Sequence, residues 1–454
     1  MNRRRSRPLL GLVAAAVVIG GWLGAPLLAS PAQEAAQTRP TVGPAAATSS
    51  AGPHASAPTA TGRPVASGPA PSRPPVGSGP FAPPQIRRGT TSATPLVRAA
   101  LDARLEALRK KAGIPGISAT ILFADGSVWE GAAGLADVAA GRRVTTDTAF
   151  PIASVSKTFT SALVLGLIED GKLRLDSPVK PFLPTVAIDP AITVRELLDH
   201  TSGLRDFYFG AGVDKALLVK RDQVWDAARS LAYVGKPFSK PGLSWHYSNT
   251  NYLLLGMLAE AVERAPVAAQ LRERFLTPLG LDHTYYQFVE APLGPTEHDY
   301  RFNGPKATLP AIDLSDGTPV VPFTSVVTAA GAAGSIATTS ADLARWARAL
   351  YGGSVLDAAS RAEMVGDIVR TVGYQPAAAY GLGVQLVQVA GHPALGHSGR
   401  FLGARAVVRW FPDLQVAVAV LTNQSRSDPS PILADLLKLA LRPQSDCITC
   451  PALP

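Results

Sequence analysis

The chain has 454 residues, 46% of them hydrophobic and only 17% charged, so a large core can form. Its net charge is +9, but Arg3, Arg4, Arg5 and Arg7 precede the first apolar run, and without those four the balance falls to +5. There is no Lys/Arg stripe interleaved with aromatics and no H-E-x-x-H among seven scattered histidines, which argues against nucleic acid as a partner and against a zinc site.

An uncharged, mostly apolar run from Pro8 to Ala29 follows the arginines. That is the order of a secretory signal or of an uncleaved signal anchor, and either one exports the chain. Its 22 residues make about 33 Å of helix, enough to span a bilayer. Pro26 and four glycines weaken such a helix, and Ser30-Pro31-Ala32 offers a small-x-small cleavage site. Both readings stay open for residues 1–29, with residues 8–29 as the membrane anchor if the segment is kept. No cysteine near the run could carry a lipid.

From Ser30 to Pro95, 14 of 66 residues are Pro and large apolar residues are almost absent. No packed core can form there, so residues 30–95 read as a disordered tether with an upper reach on the order of 200 Å. Residues 96–442 are the folded domain. Cys447 and Cys450, the only cysteines, fall in the tail 443–454. They are expected to form a local disulfide, because the tail offers neither the βαβ setting of a redox CxxC nor a second ligand pair for zinc.

Within the domain, Val97, Leu101, Leu105 and Leu108 repeat at helical spacing from Leu96 to Ala112, and Gly113 and Pro115 end the pattern. Strand patterns at Gly116 to Phe123 and Ser127 to Ala133 flank Asp125-Gly126, a hairpin signal. The far end mirrors this, with strand-like runs at Gly383 to Val389, Ala404 to Phe411 and Leu414 to Thr422, then an apolar helix from Pro431 to Leu441. The two ends are expected to build one sheet. Between them, Pro151 to Tyr351 reads as helices and long loops, one helix opening at Ser340-Ala341-Asp342. Chemistry is to be sought where the two layers meet.

Three motifs lie at such places. Ser154-Val155-Ser156-Lys157 opens a run, Thr158 to Ile168, that is apolar on nearly every side. Residues i and i+3 share a helix face, so the Lys157 amine falls near the Ser154 hydroxyl, and a lysine kept from water can become a base. Tyr247-Ser248-Asn249 follows the Pro241-Gly242 turn, in the loop leading into the apolar run Tyr252 to Leu258. A phenol there could pass protons if Lys157 lowered its pKa, and Asn249 could orient the lysine and bond a substrate amide. His397-Ser398-Gly399 precedes the strand from Ala404, on the expected edge lining the cleft, where glycine admits a close substrate backbone and an edge can pair with a peptide-like ligand. Taken singly, each motif could be ordinary structure, but their order and context reinforce one another.

From Leu96 to Arg442 the chain resembles the serine β-lactamase and penicillin-binding family, especially its class C β-lactamase and D-alanyl-D-alanine carboxypeptidase branch. The three motifs carry the likeness, together with Thr193 to Leu204, Phe275 to Leu281 and Gly334 to Trp346. The resemblance implies an α/β, β-lactamase-like fold: an antiparallel sheet built from both ends of the domain, flanking helices, and a mainly helical lobe. It implies an acyl-enzyme on Ser154, with Lys157 and Tyr247 sharing the proton transfers. Asn249, His397, Ser398 and Gly399 would hold substrate, and the backbone N–H groups of Ser154 and Arg400 would form the oxyanion hole. It implies no cofactor and no metal, and gives Asp199 and His200 structural roles.

Class C members usually have Lys-Thr-Gly at the third motif, whereas His397-Ser398-Gly399 resembles the carboxypeptidase and esterase members. A neutral histidine holds a carboxylate less firmly than lysine and is expected to titrate near pH 6.5. The expected substrate is therefore a small molecule or peptide of the D-alanyl-D-alanine type, peptidoglycan-derived, met outside the cell or at its envelope. An ester or a β-lactam is the alternative. A non-catalytic penicillin-binding module would be expected to have lost residues that are present here, and an α/β-hydrolase needs a G-x-S-x-G pentapeptide that does not occur.

Overall fold

The computed structural model describes residues 92–302, 311–366, 368–371, 374 and 379–442. The apolar run, nearly all of the Pro-rich stretch and the two cysteines lie outside the described residues. Helix α1 (Pro95–Ala112) begins where the Thr94 side chain accepts from the Val97 N–H, and ends at Gly113 with φ +63°. A side chain there would be strained. The expected hairpin follows as β1 (Gly116–Leu122) and β2 (Val128–Asp137), with Gly126 in its turn at φ +87°.

Strand β3 (Arg142–Arg143) borders β2, and the C-terminal half supplies β4 (Val369–Arg370), β5 (Ala379–Tyr380), β6 (Gln385–Val389), β7 (His392–Arg400), β8 (Arg405–Phe411) and β9 (Val416–Thr422). All nine join one antiparallel sheet in the order β3-β2-β1-β9-β8-β7-β6-β5-β4. The first and last strands thus meet near its centre, with Ile117 opposite Thr422. The expected sheet from both ends of the domain is the one observed.

Of four further helices, α2 (Ser156–Glu169) and α3 (Asn249–Glu263) lie in the helical lobe, whereas α4 (Ser340–Gly352) and α5 (Ser430–Ala440) pack on the sheet. Side chains alternate across a strand, and β9 is buried on both faces for that reason. Val416, Val418 and Val420 pack with Leu101 and Leu105 of α1 and Leu433, Leu436 and Leu437 of α5. Ala417, Ala419 and Leu421 face α4 and, beyond it, the helical lobe containing α2 and α3. Each valine so enclosed stabilises the fold by about 1.5–3 kcal/mol. In the lobe, Phe159 of α2 stacks on Trp346 of α4 with ring centroids 3.9 Å apart, which fixes the depth of α2 against the sheet.

Two expectations about placement need correction. Asn249 is the first residue of α3, not part of the loop before it, so its backbone is set by the helix. The third motif lies on β7, which is an interior strand. The ladder to β6 stops at Gly396, however, while that to β8 continues through Arg400. Only the end of β7, where the motif sits, has the character of an edge.

Candidate active site

Ser154 occupies a short 3₁₀ turn, Ala153–Val155, immediately before α2. Ala153 is held at φ +45°, a conformation that a residue with a Cβ adopts only when its surroundings enforce it. The turn is tied down by the Ile152 N–H, which donates to the Ile336 carbonyl. Ser154 is half-buried, and one turn on, Lys157 is fully enclosed.

The Lys157 ammonium reaches three acceptors: Asn249 Oδ1 at 2.7 Å, the Ala333 carbonyl at 2.9 Å and Ser154 Oγ at 3.2 Å. Burial lowers its pKa from 10.5 to about 7, against the opposing pull of Asp206. An ammonium has three donors, whereas the neutral amine has two donors and a lone pair. The Ala333 carbonyl can only accept. Asn249 Oδ1 can only accept too, because the same amide's Nδ2 donates to Asp206 Oδ2 at 2.6 Å. When Lys157 is neutral, its lone pair is therefore left facing the Ser154 hydroxyl.

Tyr247 stands beside this pair, its ring centroid 5.0 Å from Lys157 Nζ. The ring is packed 4.4 Å from that of His200 and stacked at 5.3 Å on Tyr374. Its buried Oη makes no hydrogen bond of good geometry, and the Ser154 hydroxyl is the neighbour that favours its anion. Burial wins, pushing the phenol well above 10. The amine, and not the phenolate, is thus the group available to take a proton at neutral pH. His200 accepts the Ser248 N–H on Nδ1 at 3.2 Å, which holds the backbone of the second motif, and Asp199 accepts from Thr201.

His397 is placed differently from expectation. It is fully buried, its Nδ1 is 2.6 Å from the Ser398 carbonyl, and its Nε2 is 2.9 Å from Tyr380 Oη. A carbonyl only accepts, so Nδ1 carries the proton and Nε2 accepts from the tyrosine. Burial, Lys157 and Arg409 drive its pKa well below 6.5. The ring does not titrate near 6.5, and both of its nitrogens are occupied inside the protein.

Ser398 is reached by Gln385, whose Nε2 lies 3.2 Å from its Oγ and 2.8 Å from Tyr374 Oη. Arg409 donates to Gln385 Oε1 at 2.9 Å, and since arginine cannot accept, the amide's orientation is fixed. Ser398 Oγ then accepts from Gln385 and keeps its own proton to donate. At Gly399 the strand meets the nucleophile turn: a Cβ there would sit 2.0 Å from the Ile152 carbonyl oxygen and 3.2 Å from the Ser154 nitrogen. The next residue is Arg400, and burial together with Arg405 and Arg301 pulls its guanidinium down to about 10.

Of the residues assigned to the site from the sequence, Lys157 and Tyr247 stand beside Ser154, Asn249 bonds Lys157, and Gly399 abuts the nucleophile turn, whereas the His397 ring is turned to Tyr380 and the Ser398 carbonyl. Asp206, the Ala333 carbonyl, Tyr380, Gln385 and Arg409 join them and were not foreseen. Asp206 follows the matched stretch by two residues, the one sequence signal that could have drawn attention to it. Among the described residues, no group of three His, Cys, Asp or Glu side chains is placed to hold a metal ion, and no helix is long and apolar enough to cross a membrane.

A family model described as Beta-lactamase matches residues 101–442. The chain belongs to this family. It is 33% identical over 336 residues to penicillin-binding protein 4 of Amycolatopsis lactamdurans, covering 70% of this chain and 84% of that one. It is also 33% identical over 211 residues to the esterase EstB of Burkholderia gladioli, covering 42% of this chain and only about half, 53%, of the esterase. Among solved structures, a D-stereospecific amidohydrolase from Streptomyces sp. superposes with a TM-score of 0.62 at 28% identity, covering 76% of this chain and 98% of that one. Family and fold together make this chain a serine hydrolase.

Proposed function

We propose that the protein is an exported hydrolase that forms an acyl-enzyme on Ser154 and acts on amides of D-amino acids, peptides of the D-alanyl-D-alanine type included. The observation that carries this reading is the buried Lys157, with two of its three directions committed to obligate acceptors and the third turned to Ser154. Neutral Lys157 takes the Ser154 proton as Oγ attacks the substrate carbonyl. Charge on the carbonyl oxygen is met by the N–H groups of Ser154 and Arg400. The proton passes from Lys157 to the leaving amine through the Tyr247 hydroxyl, which stays protonated in the free enzyme. Water then enters, gives a proton back along the same route, and releases the acid from Ser154.

For the substrate, the support is the D-stereospecific amidohydrolase and the penicillin-binding relative, and the end of β7 past Gly396, where the ladder to β6 stops while that to β8 continues, which suits an extended, peptide-like ligand. Asn249 and Ser398 bond its amide, and Gly399 lets its backbone approach. His397 acts behind them, holding the strand. The arginines and the apolar run before residue 30 support export to the cell envelope, as a cleaved or anchored chain. The esterase relative favours a second reading, an ester substrate on the same nucleophile.

The test compares kcat/KM for a D-amino-acid amide, its L-enantiomer, a D-alanyl-D-alanine peptide and a short-chain nitrophenyl ester. The reading expects the D-amide to exceed the L-amide by at least about tenfold, roughly 1.4 kcal/mol. Fast ester turnover with neither amide nor peptide cleaved would replace it with the esterase reading.

A further inference from the structure

We propose that Asp206 is a positioning residue of this active site: it locks the Asn249 amide so that the lone pair of Lys157 has only Ser154 to face. The inference rests on the acyl-enzyme reading above and adds to it a residue 52 positions from the nucleophile in sequence.

Asp206 is buried, 2% exposed. Oδ1 accepts from the Tyr208 N–H at 3.0 Å; Oδ2 accepts from the Asn249 N–H at 3.1 Å and from Asn249 Nδ2 at 2.6 Å. All three partners are N–H donors, so the carboxylate serves as acceptor throughout. An asparagine amide alone has no preferred sense, since Oδ1 and Nδ2 have nearly the same shape. With its Nδ2 drawn to Asp206, its Oδ1 must face Lys157. A flipped amide would present a donor to the ammonium and release the lysine from one of its two fixed acceptors. Because the Asn249 N–H shares the same carboxylate oxygen, Asp206 also anchors the first turn of α3, and the amide cannot turn without giving up both its Nδ2 bond to Asp206 and its Oδ1 bond to Lys157.

The same carboxylate bears on when Lys157 loses its proton. The titratable groups facing Lys157 are Asp206, His200, His397 and the phenols Tyr247 and Tyr252; those facing Asp206 are Lys157, Tyr208 and Tyr247. Of these, Asp206 is the one that favours the ammonium; the two histidines are disfavoured as cations by burial and by Lys157. Activity needs neutral Lys157 and so rises with pH through the lysine's pKa. Removing the negative charge lowers that pKa, and the acid limb of the profile moves to lower pH.

The experiment measures kcat and KM against pH for a small neutral nitrophenyl ester with wild type, Asp206→Asn, Asn249→Ala, the double variant and Ser154→Ala. For Asp206→Asn the proposal expects kcat at the optimum to fall on the order of 10²-fold, with KM within about threefold and the acid limb lowered by about one unit or more. A residue acting through Asn249 gives non-additive losses, the double variant losing little more than Asn249→Ala alone. If Asp206→Asn folds with kcat within about threefold and an unmoved limb, or if the losses add, the proposal is wrong. Should Asp206→Asn fail to fold, Asn249→Ala decides: kcat within about threefold of wild type overturns the proposal. Turnover that survives in Ser154→Ala overturns the acyl-enzyme reading and this proposal together, whereas Ser154-dependent turnover indifferent to Asp206 overturns this proposal alone.

Discussion

Replacing Gly399 with alanine tests the closeness on which the proposed oxyanion site depends. The added Cβ would lie 2.0 Å from the Ile152 carbonyl oxygen, and its second neighbour, the Ile152 carbonyl carbon, would be 3.0 Å away. Both are backbone atoms of the segment that carries Ser154. Neither can rotate aside as a flexible side chain could. Ordinary contact requires about 3.4 Å, so β7 must retreat from the nucleophile turn by more than about 1 Å, and the Arg400 N–H, one residue on, moves with it. A misplacement of that size costs about 10²-fold, and the loss of one oxyanion donor about 10²–10³-fold. We expect Gly399→Ala to lower kcat/KM on a nitrophenyl ester by about two to three orders of magnitude, with circular dichroism unchanged and slow acylation of Ser154 still detectable by mass. A folded variant within about threefold of wild type would refute both the contact and the oxyanion site built on it.

Because His397 is neutral and committed on both nitrogens, His397→Asn should leave the acid limb of the pH profile in place, while stability falls by about 1–3 kcal/mol for the unpaired Tyr380 hydroxyl. A limb displaced by more than half a unit would show that the histidine titrates after all. Glu297 and Asp299 are fully buried, and no group of good hydrogen-bonding geometry donates to any of their four oxygens among the described residues. Burial raises both carboxyls, Asp299 to about 7. The folded state then holds this proton more tightly than the unfolded chain. The stability it confers is complete below the unfolded carboxyl range and is lost as pH rises through about 7. Asp299→Asn should therefore melt on the order of 3 °C above wild type at pH 8, with the gap shrinking or reversing at pH 5. Parallel melting curves across that range would count against the buried pair.

Much of this was legible in the residues. Alternating apolar runs at the two ends predicted one sheet, and β1 and β9 lie side by side within it because each has two faces to bury. The i, i+3 spacing placed Lys157 against Ser154, and the geometry agrees. What stayed hidden depends on neighbours distant in sequence. His397 reads as a titrating substrate ligand until Tyr380, 17 positions earlier, takes its Nε2. Asn249 reads as part of a loop until Asp206, 43 positions before it, accepts its backbone N–H at the start of α3. Gln385 and Arg409 sit in ordinary strand patterns, and only the sheet register, which puts both opposite Gly396 from either side, brings them together. No local pattern encodes these contacts, because each links segments that only the folded sheet and lobe bring into reach.

The central claim is the acyl-enzyme on Ser154, and intact-mass analysis after rapid quenching tests it most directly. Wild type and Ser154→Ala would be incubated in parallel with a penicillin, a D-alanyl-D-alanine peptide and a nitrophenyl ester, and any adduct mapped by peptide digestion. We predict a mass increase equal to the acyl group with at least one of the three, located on the peptide containing Ser154 and absent from the alanine variant. An adduct that persists in Ser154→Ala, or turnover by wild type with the label on another residue, would contradict the account.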